Sequence, residues 1–213
     1  MNITMGLDHY IEQIASKERT PGGGSVAAIS SSLGCALTSM VANLTFDKEA
    51  FQQLKKEEQQ TFLHSFEELH VLMDKLNQLA KEDTCVFEEV LKAMGLPKNT
   101  EQERKEREKT VEEATKDALK TPLETARISL KALELQTVFV KWGNTDAMSD
   151  IGVGIWTAYG GLEGAIITVK INLYTLSDEE YKTRVIKECD EIVEKGKKLR
   201  DQNLEVVYKK LDS

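Results

Sequence analysis

Among the acidic side chains of this 213-residue sequence, Asp83 stands where an acid needs a reason. In the long segment after residue 50, the apolar positions Leu69, Leu72 or Met73, Leu76 and Ala80 lead to Asp83 and continue through Phe87, Val90 and Met94. From Leu76 onward the steps alternate four and three, which is the repeat of one helix face. A carboxylate in an apolar seam is costly by several kcal/mol unless it is paired, hydrogen-bonded or protonated. Two readings stand: a structural partner such as a cap or a lysine, or an acid with a raised pKa and proton-transfer work to do. Glu82 and Glu88 fall off the seam and are expected in water.

The second feature is "PGGGS", where Gly22, Gly23, Gly24 and Ser25 open a charge-free run of small residues reaching Phe46. It lacks the lysine of a phosphate-binding P-loop and the spacing of a dinucleotide fingerprint, and no strand precedes it. A glycine turn at a helix start leaves backbone N–H groups free and lets a carbonyl or an anion approach closely. The alternative is a tight turn needed only for packing, with Ser25 as the cap.

Other polar groups carry less. "EELH" supplies Glu67 and His70 at the step used by di-iron bundles, but the second such step is missing, and no metal is expected. His9 and His64 have no acid and nucleophile set around them. In "KNTEQERKERE", Lys98, Arg104 and Arg107 belong to a solvated helix start or face an acidic ligand. "GNTDAMSD" places Asn144, Ser149 and Asp150 at a helix entrance, as caps or as ligand contacts. Asn172 needs a partner if it is buried.

Composition narrows the classes. Thirty-six acidic against 28 basic side chains give a net charge of −8, a field that repels phosphate backbones and anionic lipid, so neither nucleic acid nor membrane is an expected partner. Cys35, Cys85 and Cys189 are odd in number and far apart, which suggests neither a disulfide framework nor a zinc site and fits a reducing cytoplasm. The N-terminus lacks the basic and continuously apolar parts of a signal peptide. The run from Gly22 is long enough to span a bilayer, but it is rich in serine and glycine and poor in large aliphatics.

The elements that must position these groups are helical. Only three prolines occur, and no bounded, alternating, β-branched stretch marks a strand. The pattern predicts an all-α domain over residues 1–213, a bundle of about six helices. The first carries the stripe Leu7, Ile11, Ile14; the second runs from about Ser25 to Thr45, the third from about Ala50 to Met94, and the fourth from Thr100 to Trp142 with a break at Pro122. The fifth runs from Ser149 to Leu173 and the sixth from Ser177 to Leu211. The second and fifth are almost uncharged and are predicted to form the centre, with a homodimer covering what remains apolar.

"RTPGGGSVAAISSSLGCALTSMVANLT", the segment from Asp83 through Phe87 to "AMGLPKNT", then "GNTDAMSD" and "INL" occur in an order that resembles the formimidoyltetrahydrofolate cyclodeaminase and methenyltetrahydrofolate cyclohydrolase family. The resemblance covers essentially the whole chain. It implies an all-helical dimer with a one-carbon tetrahydrofolate in a cleft near the subunit interface, and no cofactor beyond that substrate. It further implies that Asp83 is the catalytic acid and that Gly22, Gly23, Gly24 and Ser25 line the cleft. Lys98 and Arg107 would face the glutamate tail, which can be polyglutamylated, and Asn144, Asp150 and Asn172 would meet the pterin edge. Some members carry a second acid two residues before the catalytic one; Lys81 stands there in this chain, which places any role for paired carboxylates in doubt. The leading expectation is a stand-alone cyclodeaminase, the second a cyclohydrolase, and the third a folate-binding scaffold without turnover.

Overall fold

In the computed structural model, which describes residues 6–212, helices account for nearly all of the chain and no strand occurs among the described residues. The order is α1 (Leu7–Ile14), α2 (Gly23–Phe46), α3 (Glu49–Gln52), α4 (Lys56–Met94), α5 (Glu101–Ala118), α6 (Lys120–Trp142), a 3-10 turn (Thr145–Ala147), α7 (Met148–Leu173) and α8 (Glu179–Leu211). Helices α2 and α7 form the centre, and α4, α6 and α8 pack around them. An antiparallel α2–α7 pair is possible at short range because the crossing residues are small. A Cβ added at Gly34 would lie 2.6 Å from the Gly154 carbonyl oxygen, and one at Gly161 would lie 2.8 Å from the Ser31 nitrogen. By length and apolarity α2 could cross a membrane, yet 61% of its apolar window is buried inside the bundle, as in a core helix.

Small side chains also let polar groups enter the core, and several of them pair with one another or with the backbone there. Ser31 meets the Ser129 hydroxyl at 2.6 Å, the Gln136 amide donates to Thr38 Oγ1 at 2.9 Å, and the Asn203 amide donates to the Leu133 carbonyl at 3.1 Å. These bonds offset the desolvation of buried polar groups and fix the register of α2 against α6 and of α6 against α8.

Several elements differ from the sequence expectation for local reasons. The fourth expected helix is two: the break falls at Leu119, and Pro122 sits in the first turn of α6, where its missing N–H has no helical acceptor to lose. The third expected helix begins later, at Lys56, after the short α3. Thr100 and Glu103 close a capping box that starts α5: the Glu103 N–H donates to Thr100 Oγ1 at 3.2 Å and the Thr100 N–H donates to Glu103 Oε2 at 2.9 Å. The stripe Leu7, Ile11, Ile14 points outward, with Leu7 69% exposed, and α1 instead buries Tyr10. Helix α2 begins at Gly23 with Gly22 as its cap residue, so Ser25 is not the cap but a buried member of the first turn.

Candidate functional site

Burying Ser25 has a chemical consequence. Its backbone N–H is one of those that no helical carbonyl can reach, and it donates to the Asp83 carboxylate, which α4 presents from the facing side. The two helices approach so closely that a Cβ at Gly24 would lie 2.6 Å from the Asp83 carboxyl carbon and 2.7 Å from Oδ2. Glycine is required there because the carboxyl group fills the space of a side chain. Burial dominates the electrostatics of Asp83 and, against the smaller opposing effect of the Ser25 N–H, holds its pKa at about 6 in place of 3.8.

Asp83 stands in a cleft of about 160 Å³ lined by Gly22, Gly23 and Gly24, by Val86 and Phe87 on α4, by Ala118 at the end of α5, and by Thr168, Ile171 and Asn172 on α7. Arg19 and Thr20 of the α1–α2 connection complete the rim. The Asn172 amide donates to the Thr168 carbonyl at 2.9 Å, which leaves its carbonyl oxygen free to accept from a ligand. The cleft therefore offers one carboxyl group that titrates near neutrality, N–H donors at the positive end of a long helix, and apolar side chains along its walls. Such a set can move one proton between two atoms of a bound molecule. Lys81 is exposed, and among the described residues no second carboxylate lines the cleft beside Asp83.

Of the residues singled out from the sequence, Gly22, Gly23, Gly24, Asp83 and Asn172 converge, and Ser25 lies directly behind them. The others do not join them within one chain. Lys98 lies in the α4–α5 connection outside the lining, and the Arg107 guanidinium is turned to the end of α4, donating to the Met94 carbonyl at 3.1 and 3.0 Å. Asn144 caps the 3-10 turn by accepting from the Asp146 N–H at 3.1 Å, and its own N–H donates to Thr45 Oγ1 at 2.8 Å. Asn144 is thus anchored at the far end of α2. Asp150, in the first turn of α7, is separated from Asn172 by roughly 33 Å of helix at about 1.5 Å per residue.

Sequence reasoning missed Arg19, Thr20, Thr168 and Ile171. Thr168 shares a helix face with Ile171 and Asn172 through steps of three and four, a signal that one candidate polar residue was too little to raise. Arg19 and Thr20 are connection residues with no periodicity to reveal them.

Residues 6–191 match the family model described as Formiminotransferase-cyclodeaminase. The chain is 32% identical over 206 residues to the methenyltetrahydrofolate cyclohydrolase of Methylorubrum extorquens, covering 97% of both. It is 30% identical over 198 residues to the formimidoyltransferase-cyclodeaminase of Gallus gallus, covering 92% of this chain and 35% of that one, so it spans about a third of the length of the two-activity relative. Its fold is similar to that of the formiminotetrahydrofolate cyclodeaminase of Thermotoga maritima, with a TM-score of 0.83, 24% identity and 96% of each chain covered.

Proposed function

The chain belongs to the formiminotransferase-cyclodeaminase family, and from that premise we propose that its Asp83 cleft converts 5-formimidoyltetrahydrofolate to 5,10-methenyltetrahydrofolate with release of ammonia. N10 attacks the amidine carbon, giving a tetrahedral centre that must lose the N10 proton and expel a protonated amine. The Asp83 carboxylate takes the proton from N10 and returns it to the departing nitrogen, so one group serves both steps. The observation that carries this reading is a carboxyl group with a pKa near 6 against the open first turn of α2. Gly22 to Gly24 let the ring system approach the backbone, and Asn172 meets the pterin edge. Arg19, exposed on the rim and in no ion pair among the described residues, is the cation best placed for the anionic tail, in place of Lys98 and Arg107.

A second reading, hydrolysis of 5,10-methenyltetrahydrofolate to the 10-formyl form, is favoured by the end-to-end similarity to the Methylorubrum protein. Water then adds to the same bridging carbon with Asp83 as its base. Supplying each substrate to the pure protein separates the two: the methenyl chromophore appears with ammonia in the first case and disappears in the second. Turnover of neither would reject both and leave a folate-binding scaffold.

Replacing Gly24 with Ala is expected to lower kcat by roughly 10²-fold, because a displacement of about 1 Å at a reacting group is enough for that. The fold should survive, with overpacking costing about 1–3 kcal/mol in a thermal melt. Proportionate losses of both would count against a chemical role for the turn.

The active form is proposed to be a homodimer in the cytoplasm. The cleft is small beside the roughly 300–1,000 Å³ of sites that enclose a drug-sized ligand, so a second surface must cover much of the substrate. A charge-free stripe runs the length of the two central helices, through Val26, Leu33, Met40 and Leu44 on α2 and Val153, Ile167 and Ile171 on α7, with Ile167 65% exposed. At its middle lies Gly160, exposed with nothing within 4 Å of an added Cβ, a helix-interior glycine that the single chain does not need. Two such stripes packed about a two-fold axis near Gly160 would bring the Asn144–Asp150 end of one protomer to the Asp83 end of the other. The three free cysteines, two of them buried, suit a reducing compartment.

A further inference from the structure

Helix α1 is joined to the bundle in an unusual way. Of its eight residues only Tyr10 is buried, and Tyr10 is 8% exposed while Leu7, Ile11 and Ile14 face outward. A short helix held by one aromatic residue gains little from apolar burial alone. The Tyr10 hydroxyl reaches the Ser25 hydroxyl at 2.9 Å, and both groups are buried. The same Ser25 donates its backbone N–H to Asp83. Tyr10 is also near enough to Asp83 for the carboxylate charge to act on it, and its own pKa is raised, first by burial, so it remains a neutral phenol.

We propose that Tyr10 is a positioning residue for Asp83: through its hydroxyl bond to Ser25 it fixes the first turn of α2 so that the Ser25 N–H points at the carboxylate. This hydroxyl bond links α1 to the turn that holds Asp83. The proposal rests on Asp83 as the proton carrier only for its kinetic consequence; the geometric link stands on the buried hydroxyl pair and the backbone donor.

The sign of the effect separates positioning from mere structural support. The Ser25 N–H stabilises the carboxylate and lowers its pKa, so loosening that donor raises the Asp83 midpoint. Loss of α1 as a cover admits water, which relieves the desolvation and lowers the midpoint. Other groups around Asp83 do not confuse the reading. Among the described residues Arg19 is the only other titratable one lining the cleft, and α5 and α7 contribute Ala118, Thr168, Ile171 and Asn172, none of which titrates.

The test is a carbon-13 NMR titration of the Asp83 carboxyl group in the full chain, assigned with Asp83→Asn. Tyr10→Phe keeps the ring and removes the hydroxyl, and Ser25→Ala removes the same bond from the other side while keeping the N–H. Each is expected to raise the Asp83 midpoint by roughly half a unit to one unit, and the double variant by no more than either single one. A midpoint that stays put or falls in either single variant, with unchanged circular dichroism, would overturn the proposal. So would a double variant whose shift is the sum of the two. The titration needs no turnover. If it behaves as expected while the pure protein converts neither folate, the proposed reaction fails and the positioning link stands.

Discussion

Asp83→Asn is expected to lower turnover by roughly 10²–10⁴-fold, the range of a lost general acid–base group, with KM changed little. Asparagine keeps the shape and still accepts the Ser25 N–H, so the geometry beside Gly24 survives while the proton carrier is gone. The same change should stabilise the protein at neutral pH. Folding raises the Asp83 pKa from 3.8 to about 6, so the wild type loses stability as pH rises through that interval, and the asparagine variant does not. The two proteins should melt alike below pH ~4 and differ by about 2 kcal/mol above pH ~6, after allowance for the part of the carboxyl group that water reaches. Thermal melts across pH check the stability and initial rates check the turnover. A variant that is both inactive and less stable at pH ~7 would mean that Asp83 is held as a structural ion, in which case burial does not govern its pKa.

The second large effect concerns the residues that one chain leaves far from the cleft. If Asp150 serves the partner's Asp83, then Asp150→Ala and Asp83→Asn are each defective as pure dimers, yet a mixed dimer has one site with both residues intact. Co-expression is then expected to restore roughly a quarter of wild-type activity, since about half of randomly mixed dimers are hybrids and each hybrid has one complete site of two. Adding Gly160→Leu to both chains should abolish the recovery by blocking close approach of the stripes. In an isolated protomer leucine on that exposed turn would be favoured over glycine by up to about 1 kcal/mol. Full activity of Asp150→Ala alone would remove Asp150 from the site. An inactive mixture of proven dimers would confine the site to one protomer.

The legible and illegible parts of the structure divide along physical lines. Helix positions were readable because the prolines, glycines and caps that end helices act locally, as Thr100 and Gly95 do. The central role of α2 and α7 followed from their lack of charge, since an uncharged helix has no face suited to water. Asp83 was visible because it interrupts an apolar repeat. The direction of α1 was not visible: Leu7, Ile11 and Ile14 form the better apolar stripe, but Tyr10 is buried because its hydroxyl has a partner in Ser25, fifteen residues away. The cap reading of Ser25, one of the two open from the sequence, fails for the same reason. Its residue type favours a cap, and tertiary contact with Tyr10 and Asp83 moved the helix start back to Gly23. Lys98 and Arg107 are placed at the glutamate tail by the family resemblance, while their charge and position alone leave a solvated helix start open. Arg107 is engaged by the end of α4, a backbone acceptor that no spacing rule reveals.

The pH dependence of initial kcat/KM on the substrate that the protein turns over tests the central claim most directly. Asp83 must be ionised in the free protein to take the first proton, so the rate should fall on the acid side with a midpoint at about 6, where burial holds the carboxyl group. A profile that is flat from pH ~5 to ~8, or an acid limb that persists at the same midpoint in the residual activity of Asp83→Asn, would contradict it.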